Sequence, residues 1–204
     1  RCLELLEVDG ARREQLLSVL PPRLTSPEYN TFVASRAAIK PGAAALVQRL
    51  ASRRLPLALC SSRRADSFEA MEALRPDIAE LLAPLAVRVV GSVDPRTGAR
   101  LRGKPDPQVF AVCAEILGVD PAQCVVFEDA PSGVQSAKSS GAFTVAVPEA
   151  WMEGDERAEQ VFASADLRLA SLADVDEAGI FGEPPPLLLG CENPIVDLTC
   201  HVDR

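Results

Sequence analysis

From residue 41 to residue 181, short unbroken apolar runs alternate with longer stretches whose apolar residues return every three or four positions. LPLALC (55–60), VRVVGS (87–92), CVVFED (124–129) and FTVAVP (143–148) have the length of buried strands, and the last three their β-branched content as well. Between them, GAAALVQRLASRR sets Leu46, Val47 and Leu50 on one helical face, and a further helix is expected from about Asp66 to Ala73. Asp106-Pro107 opens the next helix, with Asp as N-cap, Pro at the first helical position, and Phe110, Cys113 and Leu117 on the buried side. Asp120-Pro121 repeats the device in a shorter turn, and Ser132 to Ser140 forms a helix stopped by Gly141. Upstream, ARREQLLSVL (11–20) reads as a helix ended by Pro21-Pro22, and Ser26 to Ile39 as a second helical piece.

Strand and helix in alternation predict an α/β fold: a Rossmann-like parallel sheet with helices on both faces, binding ligands at the carboxyl ends of its strands. Three chemically interesting points fall at such ends, namely Ser61, the loop after Val90, and Glu128-Asp129. The proline-rich break GEPPPL (182–187) then separates this unit from LLLGCENPIVDLTCHVDR, which begins as a new strand-like segment.

Composition narrows the picture. With 204 residues, 48% apolar and 25% charged, the chain suits one domain of good size, or one domain plus pieces. It has neither an apolar run of about 18 residues nor the layout of a signal peptide, so a cytoplasmic protein with no membrane partner is expected. A net charge of -8 argues against a broad nucleic-acid footprint, which needs a basic surface. The six cysteines form no CxxC pair, and Cys60, Cys113 and Cys124 sit inside apolar patterns, as reduced core thiols do. His201 is the only histidine, which excludes a mechanism built on an internal histidine base. The chain opens with Arg1 inside a helical pattern and is expected to be a fragment.

Adjacent carboxylates at a strand end repel unless a cation joins them. At Glu128-Asp129, oxygen ligands without His or Cys favour magnesium, which takes one or two carboxylates and completes its shell with water and phosphate. The alternative is a solvated acidic turn before the helix at Ser132. Lys104 precedes Pro105, which pushes it to extended backbone, so its ammonium either reaches over the same edge or is solvated. Ser61, with the backbone N–H groups after it, suits phosphate oxygens but would serve equally as a turn residue.

In this order, LALCSS, GKPDPQVF and VVFEDAPSGVQSAKSSG resemble motifs II, III and IV of the haloacid dehalogenase (HAD) superfamily of phosphatases. The resemblance covers roughly residues 40 to 181 and is closest to the pseudouridine-5'-phosphatase-like group. It implies that 41–181 is a HAD-like hydrolase core, with ADLRLASLADVDEAGIFG as its last strand and terminal helix, and that 1–40 is the end of a helical cap. It also implies the chemistry: Ser61 and Ser62 hold phosphate, Lys104 pairs with phosphate and nucleophile, and Glu128 and Asp129 hold Mg2+. A small sugar phosphate or nucleoside monophosphate would be hydrolysed through an aspartyl-phosphate.

The attacking aspartate of that family lies in a DxDG motif after an apolar strand, and no segment here fits it. Glu7-Val8-Asp9-Gly10 imitates the spacing with Glu in the attacking place, and Asp174-Val175-Asp176 would demand a circular permutation. Motif I and the first core strand are therefore expected to lie outside the chain, leaving it inactive and leaving an unpaired sheet edge beside the strand that carries Glu128.

The tail carries a second resemblance. Gly190, Asn193, Pro194 and Asp197 match the Gly-x-x-Asn-Pro-x-x-Asp pattern that opens adenosine kinase, a ribokinase-like sugar kinase. It implies that 188–204 begins a fused nucleoside kinase domain, with Asn193 and Asp197 toward the nucleoside and 182–187 as linker. The alternative function is then a non-catalytic HAD-like module beside such a kinase.

Overall fold

The structure is a computed structural model that describes residues 27–181 and 187–189. Four parallel pairings organise it. Strand β1 (Ala58–Ser61) pairs with β2 (Val87–Val90). A four-stranded sheet runs in the order β5 (Leu167–Arg168), β4 (Phe143–Ala146), β3 (Cys124–Glu128), β6 (Leu187–Leu189), every pair parallel. β6 also runs next to β1, so that it lies between the two sheets. The parallel α/β architecture expected from the sequence is what the chain adopts.

All five residues of β3 are buried, because helices cover both of its faces. Val125 and Phe127 meet Ala43, Leu46 and Leu50 of helix α2 (Ala43–Ser52) on one side. Cys124 and Val126 meet Val109, Phe110, Cys113 and Ala114 of α5 (Gln108–Leu117), and Ala137 of α6 (Pro131–Ser140), on the other. Alternation along one strand thus feeds two core layers. Each fully buried Val or Phe adds about 1.5–3 kcal/mol relative to exposure.

Cys60, Cys113 and Cys124 are free buried thiols in the second layer. A hydrogen bond with Cys60 and burial push the Cys113 thiol far up, and burial, with Asp120 and Cys60 nearby, pushes Cys124 up to about 12.

A third layer joins α1 (Pro27–Arg36), α3 (Ala65–Leu74) and α4 (Pro76–Leu82) beneath Leu59. The residues 27–40, assigned by resemblance to the end of a cap, therefore pack on core helices, and Arg75 donates to the Ala34 and Ala37 carbonyls at the end of α1. No element is expected from the sequence over 76–82, yet Pro76 occupies the start of α4 and Ile78, Leu81 and Leu82 bury its inner face. α7 (Glu156–Phe162) was likewise not anticipated; its N-cap, Asp155, accepts from Arg157 N and Ala158 N. The short helix α8 (Glu177–Phe181) ends the main described segment.

Boundaries shift where capping geometry differs from expectation. Asp106 does accept from Gln108 N, but regular helix begins only after Pro107, and Leu117 is half-buried at the far end. The larger correction concerns the sheet edge. The flank of β3 that was expected to stand open is taken by β6, with Cys124, Val125 and Val126 aligned to Leu187, Leu188 and Leu189. Among the described residues no helix is long and apolar enough to cross a membrane.

Candidate active site

Strand β1 ends at Ser61, whose hydroxyl accepts from Arg63 N at 3.2 Å, a local turn bond that closes the strand-to-helix corner. Ser61 is buried and Ser62 is exposed. β2 ends at Val90, where Gly91 and Ser92 adopt left-handed backbone (φ 64 and 54) and start a loop that doubles back. Asp94 N donates to Ala99 O, and Leu101 N to Ser92 O, which returns the chain to the strand ends at Gly103. The next residue is Lys104, followed by a cis bond to Pro105.

Lys104 reaches inward. Its Nζ donates to the Cys60 carbonyl at 3.0 Å and to Glu128 Oε1 at 2.6 Å, and lies 4.8 Å from the Phe110 ring centroid. The two side chains of the pair are 2% and 0% exposed, so charge and geometry are both fixed by the protein. Glu128 in turn rests against the first turn of α6, where Gly133 leaves it room: a Cβ there would stand 1.9 Å from Glu128 Oε2. A helix N-terminus further favours a carboxylate in that place.

Asp129 has its own lysine. Lys40 Nζ lies 3.1 Å from Asp129 Oδ2 and also ion-pairs with Glu149. Lys40 is buried, and beside it lies a cavity of about 270 Å³ bordered by Ile39, Pro41, Glu149, Ser171 and Leu172. Formally, three carboxylates thus face two ammonium groups.

The structure brings Lys104, Glu128 and the end of β1 into direct contact, with Asp129 following Glu128 in the chain. Ser61 adjoins this cluster through Cys60. The cavity borders Lys40 rather than Lys104. Lys40 and Glu149 were missed from the sequence, although Lys40-Pro41 repeats the lysine-before-proline signal of Lys104-Pro105. Asp174 and Asp176 are exposed, in and just after a short 3-10 turn packed on Gly42. Glu7, Asp9, Asn193 and Asp197 lie outside the described residues.

The donor set suits a hard cation. Glu128 and Asp129 present only oxygen, both are buried, and among the described residues no cluster of three or more His, Cys, Asp or Glu side chains forms a closed metal cage. Magnesium is the ion that accepts so few protein ligands.

Crossover-linked parallel strands define an α/β protein, a class in which ligands bind at the carboxyl ends of the strands, and Lys104, Glu128 and Asp129 stand at that edge here. The chain matches the haloacid dehalogenase-like hydrolase family over residues 5–141, and it belongs to that family. It is 37% identical over 140 residues to a Drosophila melanogaster protein named "Probable pseudouridine-5'-phosphatase", covering 66% of this chain and 58% of that one. To a CBBY-like protein of Arabidopsis thaliana it is 31% identical over 160 residues, covering 78% and 47%. The crystal structure of CbbY from Rhodobacter sphaeroides in complex with xylulose-(1,5)bisphosphate shares its fold, with a TM-score of 0.57, 24% identity, and coverage of 72% and 60%. The chain spans roughly half of the length of these curated relatives.

Proposed function

We propose that the chain is the core of a magnesium-dependent phosphomonoester hydrolase acting on a small sugar phosphate or nucleoside monophosphate. The observation that carries this reading is the buried Lys104, which ties the end of β1 at Cys60 to Glu128 at the end of β3. An ammonium held there offsets the charge of a phosphate seated over the strand ends, and Ser61, Ser62 and the turn they open would orient its oxygens. Glu128 and Asp129 would hold the magnesium, which supplies charge neutralisation of the transferring phosphoryl group. The names of the relatives, a pseudouridine-5'-phosphatase among them, support a phosphorylated metabolite as substrate.

No DxDG sequence occurs in the 204 residues, so covalent transfer lacks its attacking carboxylate. The chain alone is expected to release no phosphate from a panel of sugar phosphates and nucleoside monophosphates. Joined to a strand carrying Asp-x-Asp-Gly, it is expected to do so with magnesium. Lys104→Ala and Asp129→Asn should each then cost about two to three orders of magnitude in kcat/KM. Activity of the joined protein that survives Lys104→Ala would sink the reading, and turnover by the chain alone would move the nucleophile to Asp9 or Asp174.

A second reading, a non-catalytic module beside a nucleoside kinase, rests on the Gly190, Asn193, Pro194 and Asp197 pattern. On that reading 182–187 is a linker and 188–204 opens the kinase, and the joined protein stays inactive in the same assay.

A further inference from the structure

Lys40 stands in none of the motifs that carry the family resemblance, yet it is buried against the acidic pair. It lies in the connector between α1 and α2, and Pro41-Gly42 after it brings that connector down onto Leu172 and Ala173. Its Nζ is 3.1 Å from Asp129 Oδ2 and pairs on its other side with Glu149. Glu128 meanwhile has Lys104.

A magnesium ion at Asp129 would sit about 2.1 Å from a carboxylate oxygen. An ammonium retained on Oδ2 would then face a divalent cation across one oxygen, in a buried setting where like charges repel strongly. The two cations therefore compete for Asp129, and the weaker hold is the one with another partner in reach. Magnesium has Asp129 as its partner, whereas Lys40 has a second carboxylate already in contact.

We propose that Lys40 is a tethered counter-cation of the metal site: it holds Asp129 when no metal is bound, and transfers wholly to Glu149 when a divalent ion arrives. The inference rests on the magnesium reading above, and adds that Lys40 and Glu149 together set the metal affinity. It explains why an extra buried lysine accompanies the acidic pair, and why Glu149 is placed within its reach.

Net charge alone makes a different prediction, and a double substitution separates the two. Lys40→Met with Glu149→Gln removes one positive and one negative charge, leaving the formal balance of the site as it was. The probe is Mn2+ added to the whole 204-residue chain, with free ion counted by electron paramagnetic resonance. Release of Asp129 from a charge-assisted hydrogen bond is expected to tighten Mn2+ about tenfold in the double variant. An affinity equal to or weaker than that of the unsubstituted chain would overturn the proposal.

Asp129→Asn serves as the control. Mn2+ binding indifferent to it would overturn the metal reading itself, and the counter-cation with it. Binding that depends on Asp129, with no gain in the double variant, overturns only the role of Lys40. A measurement on the unsubstituted chain guards against misfolded variants. The protein has three lysines, so in a sample labelled with 15N at lysine the Lys40 Nζ resonance is expected to move on Mg2+ addition, and an unmoved resonance would count against the transfer.

Discussion

Lys40 and Lys104 share one local context, lysine before proline, and the fold gives both the same partner type, a carboxylate at the end of β3. The local signal was legible for Lys104, where GKPDP lies next to a helix start, and equally present at Lys40. What the sequence lacked was the partner, because Asp129 and Glu149 come near Lys40 only through tertiary packing. Glu128 shows the reverse case, since the acidic pair was readable but the space that admits its carboxylate was not. That space is Gly133. Alanine in a helix is ordinarily favoured over glycine by about 1 kcal/mol, but here its Cβ would stand 1.9 Å from Glu128 Oε2, an oxygen of the buried carboxylate whose Oε1 Lys104 holds. Gly133→Ala is therefore expected to lower the unfolding free energy by about 1–3 kcal/mol in urea titration. A neutral result would show that Glu128 moves aside without loss.

Among the elements, the strands were the most legible, because a continuous buried run such as CVVFE has few other uses at that length. Helices α4 and α7 escaped notice since each spans only seven residues, too short for its period to stand out against neighbouring turns. The outer strand β5 is held by a polar device rather than by apolar pattern. Asp166, just before it, accepts from Thr144 N on β4 and from Lys138 on α6. Burial raises the Asp166 pKa, but the hydrogen bonds from Lys138 and Thr144 outweigh it and leave the carboxyl below its ordinary 3.8. A depressed folded-state value stabilises the fold above the unfolded pKa, and that share is lost as pH falls through the folded one. Asp166→Asn should thus lower the melting temperature at neutral pH and flatten its decline below about pH 4. An acid limb as steep as before would assign the decline to other carboxylates.

At the scale of the whole molecule, the order of strands was the least legible feature. Nothing in LLL at 187–189 announces a place beside β3, since parallel pairing across a sheet depends on which slots remain open. Deleting 182–204 is expected to lower the urea midpoint and to increase binding of a hydrophobic dye, as the β3 flank loses its cover. An unchanged midpoint would mean that β6 adds nothing to the core. The layer between β3 and α5 has another consequence. Disulfide reagents react with thiolate, and Cys124, at about 12, and Cys113, further raised, hold almost none at neutral pH. Cys60, Cys113 and Cys124 are all buried out of reach of a reagent and should be labelled only as often as the core opens, which makes them a chemical clock for native-state opening. Peptide mapping of labelled protein reads that clock: the three sites should advance together, and early labelling at Cys124 alone would show that the end of β3 nearest Asp120 opens by itself.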